Sequence, residues 1–301
     1  LPFGELYINI IIAYNHTEED CMKKITTEEI STAVEKLCID SNYYLNSDII
    51  KNLECGLAVE ESNTGKEVLK QLLENATIAR EEKMAICQDT GMAVIFIDIG
   101  QEVTIINGNL TDAINEGVRN GYQKGYLRKS VVSDPILRQN TGDNTPAVIH
   151  YNITDGDKLK ITVAPKGFGS ENMSSLKMLK PSDGLEGVKK FILETVSNAG
   201  PNPCPPIVVG VGIGGTMEKA AFLAKKALLR PVDECSPLPH IKELEEEMLA
   251  NINKLGIGPA GLGGKVTALG LNIEVFPTHI AGLPVAVNIS CHATRHAEIY
   301  L

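Results

Sequence analysis

The segment Pro201-Asn202-Pro203-Cys204-Pro205-Pro206 restricts the possible folds of this chain more than any other stretch. Proline on both sides of Cys204 fixes φ and removes backbone donors, which bars helix and leaves a rigid, extended turn bearing a thiol. A cysteine that only fills a core needs no such turn. Next comes Ile207-Val208-Val209-Gly210-Val211-Gly212-Ile213-Gly214-Gly215-Thr216, which predicts a buried strand ending in a glycine turn. Met217 to Leu229 then reads as a helix.

Gly210, Gly212 and Gly215 also satisfy G-x-G-x-x-G, and Asp233 lies near the distance at which a dinucleotide fingerprint places its acid. That fingerprint needs a second strand to carry the acid. Here Arg230-Pro231-Val232-Asp233-Glu234-Cys235-Ser236-Pro237 is a proline-broken loop. A tight strand-to-helix turn, whose N–H groups can meet a carboxylate, is the better reading. A nucleotide-binding protein using Gly210–Gly215 is the alternative of a different class, and it predicts that Cys204 is dispensable.

Two further cysteines share the setting of Cys204. Ile86-Cys87-Gln88-Asp89-Thr90-Gly91 runs into Met92-Ala93-Val94-Ile95-Phe96-Ile97-Asp98, so a thiol, an amide and a carboxylate stand at the mouth of a buried strand. Ser290-Cys291-His292-Ala293-Thr294-Arg295-His296 follows the apolar run Val285 to Ile289. Cys38 and Cys55 fall on helical segments and read as structural, and Cys235 lies in a loop without a partner signal. Seven cysteines without framework spacing disfavour disulfides. No C-x-x-C pair supports a zinc site. Three thiolates from distant turns can hold a [4Fe–4S] cube by three irons and leave the fourth open. Electron carriers use four cysteines, so a missing fourth points to Lewis-acid catalysis. Asp89, His279 and Arg128 offer acid–base and anion-binding groups. Each also has a plain reading, as a turn cap, a core histidine and a surface charge. His292 and His296 receive no role.

The remaining pattern sets the frame. The chain has 301 residues, 43% of them hydrophobic, enough for a large core. A net charge of −10 argues against nucleic acid but not against a small anionic substrate. No apolar run reaches a membrane span, and residues 7–13 lack the flanks of a signal peptide, so the expected location is the cytoplasm. The chain begins with Leu1, and Met22-Lys23-Lys24-Ile25 reads like an ordinary start. Residues 1–21 are therefore expected to be a non-native or mis-called extension, and residues 22–301 the folded domain. Helices are expected from Thr26 or Thr27 onward, over 47–56, 65–80, 111–127, 185–198 and 241–255. Strands are expected over 93–98, 103–106, 148–153 and 159–163, and the chain closes with the apolar runs Val266 to Val275 and Val285 to Ile289. Residues 165–172 read as a polar loop able to offer N–H groups to an anion, Glu245-Glu246-Glu247 as a solvated helix face, and the glycines of 256–264 as close backbone approach to a ligand. The expected fold is mixed α/β, with a helical N-terminal part packed on mixed sheet elements that carry the three cysteine turns.

At these motifs the chain resembles the α subunit of the two-subunit class I fumarases and L(+)-tartrate dehydratases, oxygen-sensitive iron–sulfur hydro-lyases. The resemblance covers residues 22–301. It rests on Ile86 to Gly91, Leu127-Arg128-Lys129-Ser130, Thr141-Gly142-Asp143-Asn144-Thr145-Pro146-Ala147, Lys166-Gly167-Phe168-Gly169-Ser170-Glu171-Asn172, Cys204-Pro205-Pro206 with its glycine turn, and Cys291-His292-Ala293. Phe168 departs from it, since the family usually has a third glycine there. The resemblance implies that Cys87, Cys204 and Cys291 ligate a [4Fe–4S] cluster with one open iron. It implies that Gln88, Asp89, Arg128 and the loop near Gly167 contact a dicarboxylate, and that His279, twelve residues before the third cysteine, is an active-site histidine. Single-chain relatives complete the site with a further domain, so a separate β subunit is expected to finish it here, in an αβ assembly that symmetry can double to (αβ)2. The implied reaction is reversible hydration of fumarate to (S)-malate, with tartrate dehydration to oxaloacetate as the alternative. A non-catalytic iron–sulfur sensor is the third class, and it predicts a cluster without turnover.

Overall fold

The computed structural model describes residues 22–301, so the expectation for residues 1–21 lies outside the described residues. In chain order the elements are β1 (Lys23–Thr26), α1 (Thr27–Tyr43), α2 (Ser47–Val59), α3 (Asn63–Glu81), β2 (Met92–Gly100), β3 (Val103–Ile106), α4 (Leu110–Lys124), β4 (Val148–Thr154), β5 (Leu159–Lys166), the single turn α5 (Phe168–Glu171), β6 (Ser175–Leu179), α6 (Gly184–Ala199), β7 (Ile207–Gly214), α7 (Met217–Ala227), α8 (Pro239–Asn253), β8 (Ala268–Phe276), β9 (Leu283–Ser290) and β10 (Ala297–Tyr300). Helices and mixed sheets alternate, which is the mixed α/β class that the sequence predicts. Two compact units divide these residues.

Of the described residues, the first unit holds 22–40, Ala93–Ala164 and Ala297–Leu301. Its main sheet has the order β10-β5-β2-β4, and β1 pairs with β3 in parallel apart from it. α1 starts at a capping box: Glu29 N–H donates to Thr26 Oγ1 at 3.2 Å, and Thr26 N–H donates to Glu29 Oε2 at 2.8 Å. α4 lies backbone-close to α1, because a Cβ on Gly117 would stand 2.6 Å from Ser31 O and one on Gly121 2.7 Å from Cys38 Cβ. The buried Cys38 is thus a packing residue. α4 ends at Lys124, short of the expected boundary, and Tyr126 two residues on has φ 49°. The loop beyond is pinned by its own side chains. Asn144 Oδ1 accepts from Ser130 N–H at 2.7 Å and Val131 N–H at 3.2 Å, and Asn140 Nδ2 donates to Lys129 O at 3.0 Å. Burial would push the Asp143 carboxyl up, but donors on Thr145 and Arg119 outweigh it and hold the group down at about 2. Arg128 is exposed on this anchored segment.

The second unit holds Ser41–Met92 and Pro165–His296. Its sheet has the order β6-β9-β7-β8, with β7 parallel to β8 and antiparallel to β9. β7 alternates valine with glycine. On one face Val209 and Val211 join Ile192, Val196, Met248 and Ile252 from α6 and α8 in a continuous core. Each such side chain contributes about 1.5–3 kcal/mol through removal from water. Toward α7 the glycines do the work. A Cβ on Gly210 would lie 2.1 Å from Ala224 O, and one on Gly212 2.1 Å from Ala220 O. These glycines therefore admit a helix, which accounts for them without a dinucleotide. α2 and α3 add a layer through Leu53, Leu69 and Ala76, packed with Val208 and Leu269.

Several expectations change. Cys55 on α2 is exposed, so it is not a core residue. Glu245 is buried rather than solvated: it pairs with Arg230 and accepts from Ser236 N–H at 2.9 Å and Ile273 N–H at 2.7 Å. The strands β1, β6 and β10 and the turn α5 were not expected.

Candidate active site

The antiparallel pairing of β7 with β9 places two of the three sequence-selected cysteines at one end of the sheet. Cys204 precedes β7 and Cys291 follows β9, and Val208 is registered against Ser290. Cys204 sits at φ 54°, and its N–H donates to Pro201 O at 3.1 Å, so the thiol is carried by a tight turn. Cys87 is delivered by the turn after α3. There Ile86 N–H donates to Asn42 O at 3.0 Å, and Asn75 Nδ2 donates to Ile86 O at 2.8 Å. Cys87 and Cys291 are half-buried against the apolar layer of α2 and α3. All three are free thiols. Burial pushes the Cys204 thiol up, with smaller contributions from Cys291 and Cys87.

The stretch after Cys291 ties the turns together. His292 Nδ1 lies 3.0 Å from Cys204 O; a carbonyl only accepts, so this nitrogen carries the proton and donates. Arg295 Nη2 donates to Asp89 O at 2.6 Å, and His296 N–H donates to Asn46 Oδ1 at 3.1 Å. Burial pushes the His292 imidazole below its ordinary range against the pull of its bond to Cys204, and nearby Arg295 adds to the lowering. His292 and Arg295 are the structural residues that sequence reasoning missed. Their nearness to Cys291 in the chain was the available signal.

Asp89 and the Gly167 turn stand beside Cys87. Asp89 Oδ2 accepts from Phe168 N–H at 2.9 Å and Oδ1 from Gly91 N–H at 3.1 Å. A Cβ on Gly167 would come within 3.1 Å of Asp89 Oδ2. Gly91, at φ 72°, is required for the same approach, since a Cβ there would meet the Lys166 backbone at 2.7 Å. The stretch read as a polar loop is thus partly helical, and its Phe168 N–H is spent on Asp89. Beneath it the buried Lys166 donates to Ser170 Oγ at 2.9 Å and Ile289 O at 2.8 Å, and pairs with Glu171 at 3.3 Å. Burial pushes this ammonium down to about 8, although Glu171 pulls the other way. Gln88 is exposed, with its Oε1 3.6 Å from the Cys87 thiol.

In the glycine-rich stretch 256–264, Gly258, Gly261 and Gly264 approach protein, while Gly256 and Gly263 face open space. A Cβ on Gly261 would lie 2.2 Å from Pro201 Cβ, and one on Gly264 2.7 Å from Glu60 Oε1. Ala260 N–H donates to Pro205 O at 2.7 Å, so this loop buttresses the Cys204 turn.

His279 lies elsewhere. It is exposed in the turn between β8 and β9, where Thr278 Oγ1 donates to Gly215 O at 2.9 Å. That turn caps the far end of β7, about 23 Å along the strand from the Cys204 end at ~3.3 Å per residue. The second unit therefore gathers Cys87, Gln88, Asp89, Gly167, Cys204 and Cys291 at one end of its sheet and His279 at the other. Arg128 belongs to the first unit.

The donor set has a chemical preference. Among the described residues no three His, Cys, Asp or Glu side chains are grouped tightly enough to hold one metal ion. Three cysteine turns in one unit, with Cys87 and Cys291 half-buried in an apolar layer, offer soft sulfur ligands of the kind that bind iron–sulfide groups.

The family described as fumarate hydratase (Fumerase) matches residues 31–300. A Methanocaldococcus jannaschii protein, provisionally named L(+)-tartrate dehydratase subunit alpha, is 45% identical over 275 residues, covering 89% of this chain and 96% of that protein. The L(+)-tartrate dehydratase subunit alpha of Escherichia coli K12 is 35% identical over 255 residues, 84% of either chain. The protein of that name from Shigella sonnei shows the same identity and coverage.

Proposed function

This chain belongs to the fumarate hydratase (Fumerase) family of hydro-lyases, and we propose that residues 22–301 are the catalytic α subunit of a [4Fe–4S] enzyme that reversibly hydrates fumarate to (S)-malate in the cytoplasm. The observation that carries this reading is the placement of Cys204 and Cys291 at one end of the β7–β9 pair, with Cys87 packed in the same apolar layer as Cys291 and Asp89 held beside Gly167.

Cys87, Cys204 and Cys291 would hold the cluster. When bound, it supplies a Lewis-acidic iron without a thiolate, able to polarise a carboxylate and hydroxyl of a 2-hydroxy acid. The protein supplies the rest. Asp89, oriented by the Phe168 and Gly91 N–H groups, moves a proton at the departing or entering water. Gly167 leaves room beside that carboxylate, and Gln88 offers its amide to the substrate. Arg128 takes the second carboxylate, a role carried over from the family motif. His279 lies at the far end of β7, so it acts on the centre of a second copy of this chain, as an (αβ)2 assembly allows. The relatives are named as subunits, and a β subunit completes the site here. No helix among the described residues is long and apolar enough to cross a membrane.

A second reading takes L(+)-tartrate as substrate, and the names of the relatives favour it. Against it stands only the departure at Phe168, an exposed ring at the position next to Gly167 where the family usually has glycine. The test is kcat/KM on fumarate, malate and tartrate for the oxygen-free αβ complex, with Cys204→Ala as control. Turnover of fumarate that vanishes in the control supports the proposal. Turnover of tartrate alone selects the second reading, and wild-type turnover retained by Cys204→Ala overturns both.

A further inference from the structure

Arg295 is 5% exposed, and the second unit holds it in an unusual state. Nη2 donates to Asp89 O at 2.6 Å and Nη1 to Ala293 O at 3.3 Å. Its Nε is buried without a hydrogen-bond partner. No carboxylate among the described residues forms an ion pair with it. A guanidinium stays charged in any protein environment, and a buried charge without a counter-charge is strongly disfavoured. The part-buried Arg230 of this unit is by contrast paired with Glu245.

We infer that Arg295 is the counter-charge of the three-thiol centre, a role that rests on the iron–sulfur reading above. Its position fits. Arg295 lies four residues beyond Cys291, and it bonds the carbonyl two residues beyond Cys87. Its neighbour His292 bonds the carbonyl of Cys204. The guanidinium therefore belongs to the shell that links all three cysteine turns. Three thiolates around an iron–sulfide core leave a net negative centre, the charge that Arg295 lacks among the described residues. Carbonyl oxygens hold two of its nitrogens but cannot neutralise it. Arg295 is a positioning residue in this account: it stabilises the ligands and their charge and touches no reacting atom.

The charge and the hydrogen bonds can be separated by two variants of the oxygen-free αβ complex. Arg295→Gln removes the charge, and Arg295→Lys keeps it while losing the fork. Iron per chain, the midpoint potential of the cluster and thermal unfolding of the iron-free protein are read for both. In Arg295→Gln, iron affinity should fall by about ten- to a hundred-fold, the range for lost outer-shell partners, and the potential should move negative, because a nearby cation favours the reduced, more negative cluster. Arg295→Lys should recover most of the potential. The iron-free Arg295→Gln protein should melt no lower than iron-free wild type, since loss of an unpaired charge offsets loss of two hydrogen bonds. Unchanged iron and potential in Arg295→Gln overturn the inference, as does an Arg295→Lys protein whose potential matches that of Arg295→Gln. Wild-type protein that binds no iron sinks the cluster reading itself, a different outcome from iron-loaded wild type matched by its variant.

Discussion

Glu60 gives the sharpest stability prediction. Its carboxylate is 2% exposed and accepts four backbone N–H groups: Glu61 at 2.9 Å, Ser62 at 2.9 Å and Lys265 at 3.0 Å on Oε1, and Val266 at 2.9 Å on Oε2. Glu60→Gln keeps the shape. Its oxygen can still serve three donors, but these bonds pass from charge-assisted to neutral, a loss of about 1 kcal/mol each. Its amide then faces Val266 N–H, donor against donor, and a buried unsatisfied donor costs about 1–3 kcal/mol. The sum is about 4–6 kcal/mol, an upper bound because a shifted loop can admit water. The assay is urea unfolding of the iron-free protein across pH. Burial would raise the Glu60 carboxyl, but the four N–H donors outweigh it and hold it below the ordinary glutamate range. A depressed acid contributes stability that is fully present above its unfolded value and is lost as pH falls through its folded value. The gap between wild type and Glu60→Gln should therefore be widest at neutral pH and close in acid. A gap below about 2 kcal/mol at pH 7.5, or one that does not change with pH, refutes the reasoning.

Gly212→Ala should destabilise by about 1–3 kcal/mol or more, since its Cβ meets Ala220 O at 2.1 Å, and calorimetry of the wild type should detect no dinucleotide binding. Gly167→Ala, at φ −71°, should fold normally yet lose about ten-fold in kcat/KM, roughly 1.4 kcal/mol, by pressing on Asp89; equal kcat/KM would remove Gly167 from the site. Mixing inactive His279→Ala and inactive Cys204→Ala α chains should restore turnover if His279 serves a second copy, and continued inactivity after exchange would show that it does not.

The long elements were legible because their signal is local. α2, α3 and α6 carry apolar stripes, and β7 is an apolar run closed by glycine. β6 and β10 are edge strands with mostly exposed or half-exposed residues, and neither has an alternation that local reading can detect. Glu245 looked solvated within a triple glutamate run. Its burial depends on Arg230 and the Ile273 backbone, both remote in sequence. The cysteine turns stood out through their prolines, glycines and polar neighbours. The bonds of His292 and Arg295 did not, because His292 meets Cys204 O only when β9 registers against β7, and Arg295 meets Asp89 O 206 residues away in the chain. The close approach expected in 256–264 is made by Gly261 and Gly264, and their neighbours are the Cys204 turn and Glu60 rather than a ligand.

Cys87, Cys204 and Cys291 are proposed to hold an iron–sulfur cube with one iron free of thiolate. Mössbauer spectroscopy of the oxygen-free, iron-57-loaded αβ complex, with and without substrate, tests it most directly. The account predicts about four irons per α chain, one of which changes its signal on adding fumarate or malate. A single iron, no iron, or a full cube with four irons that all ignore substrate would contradict it.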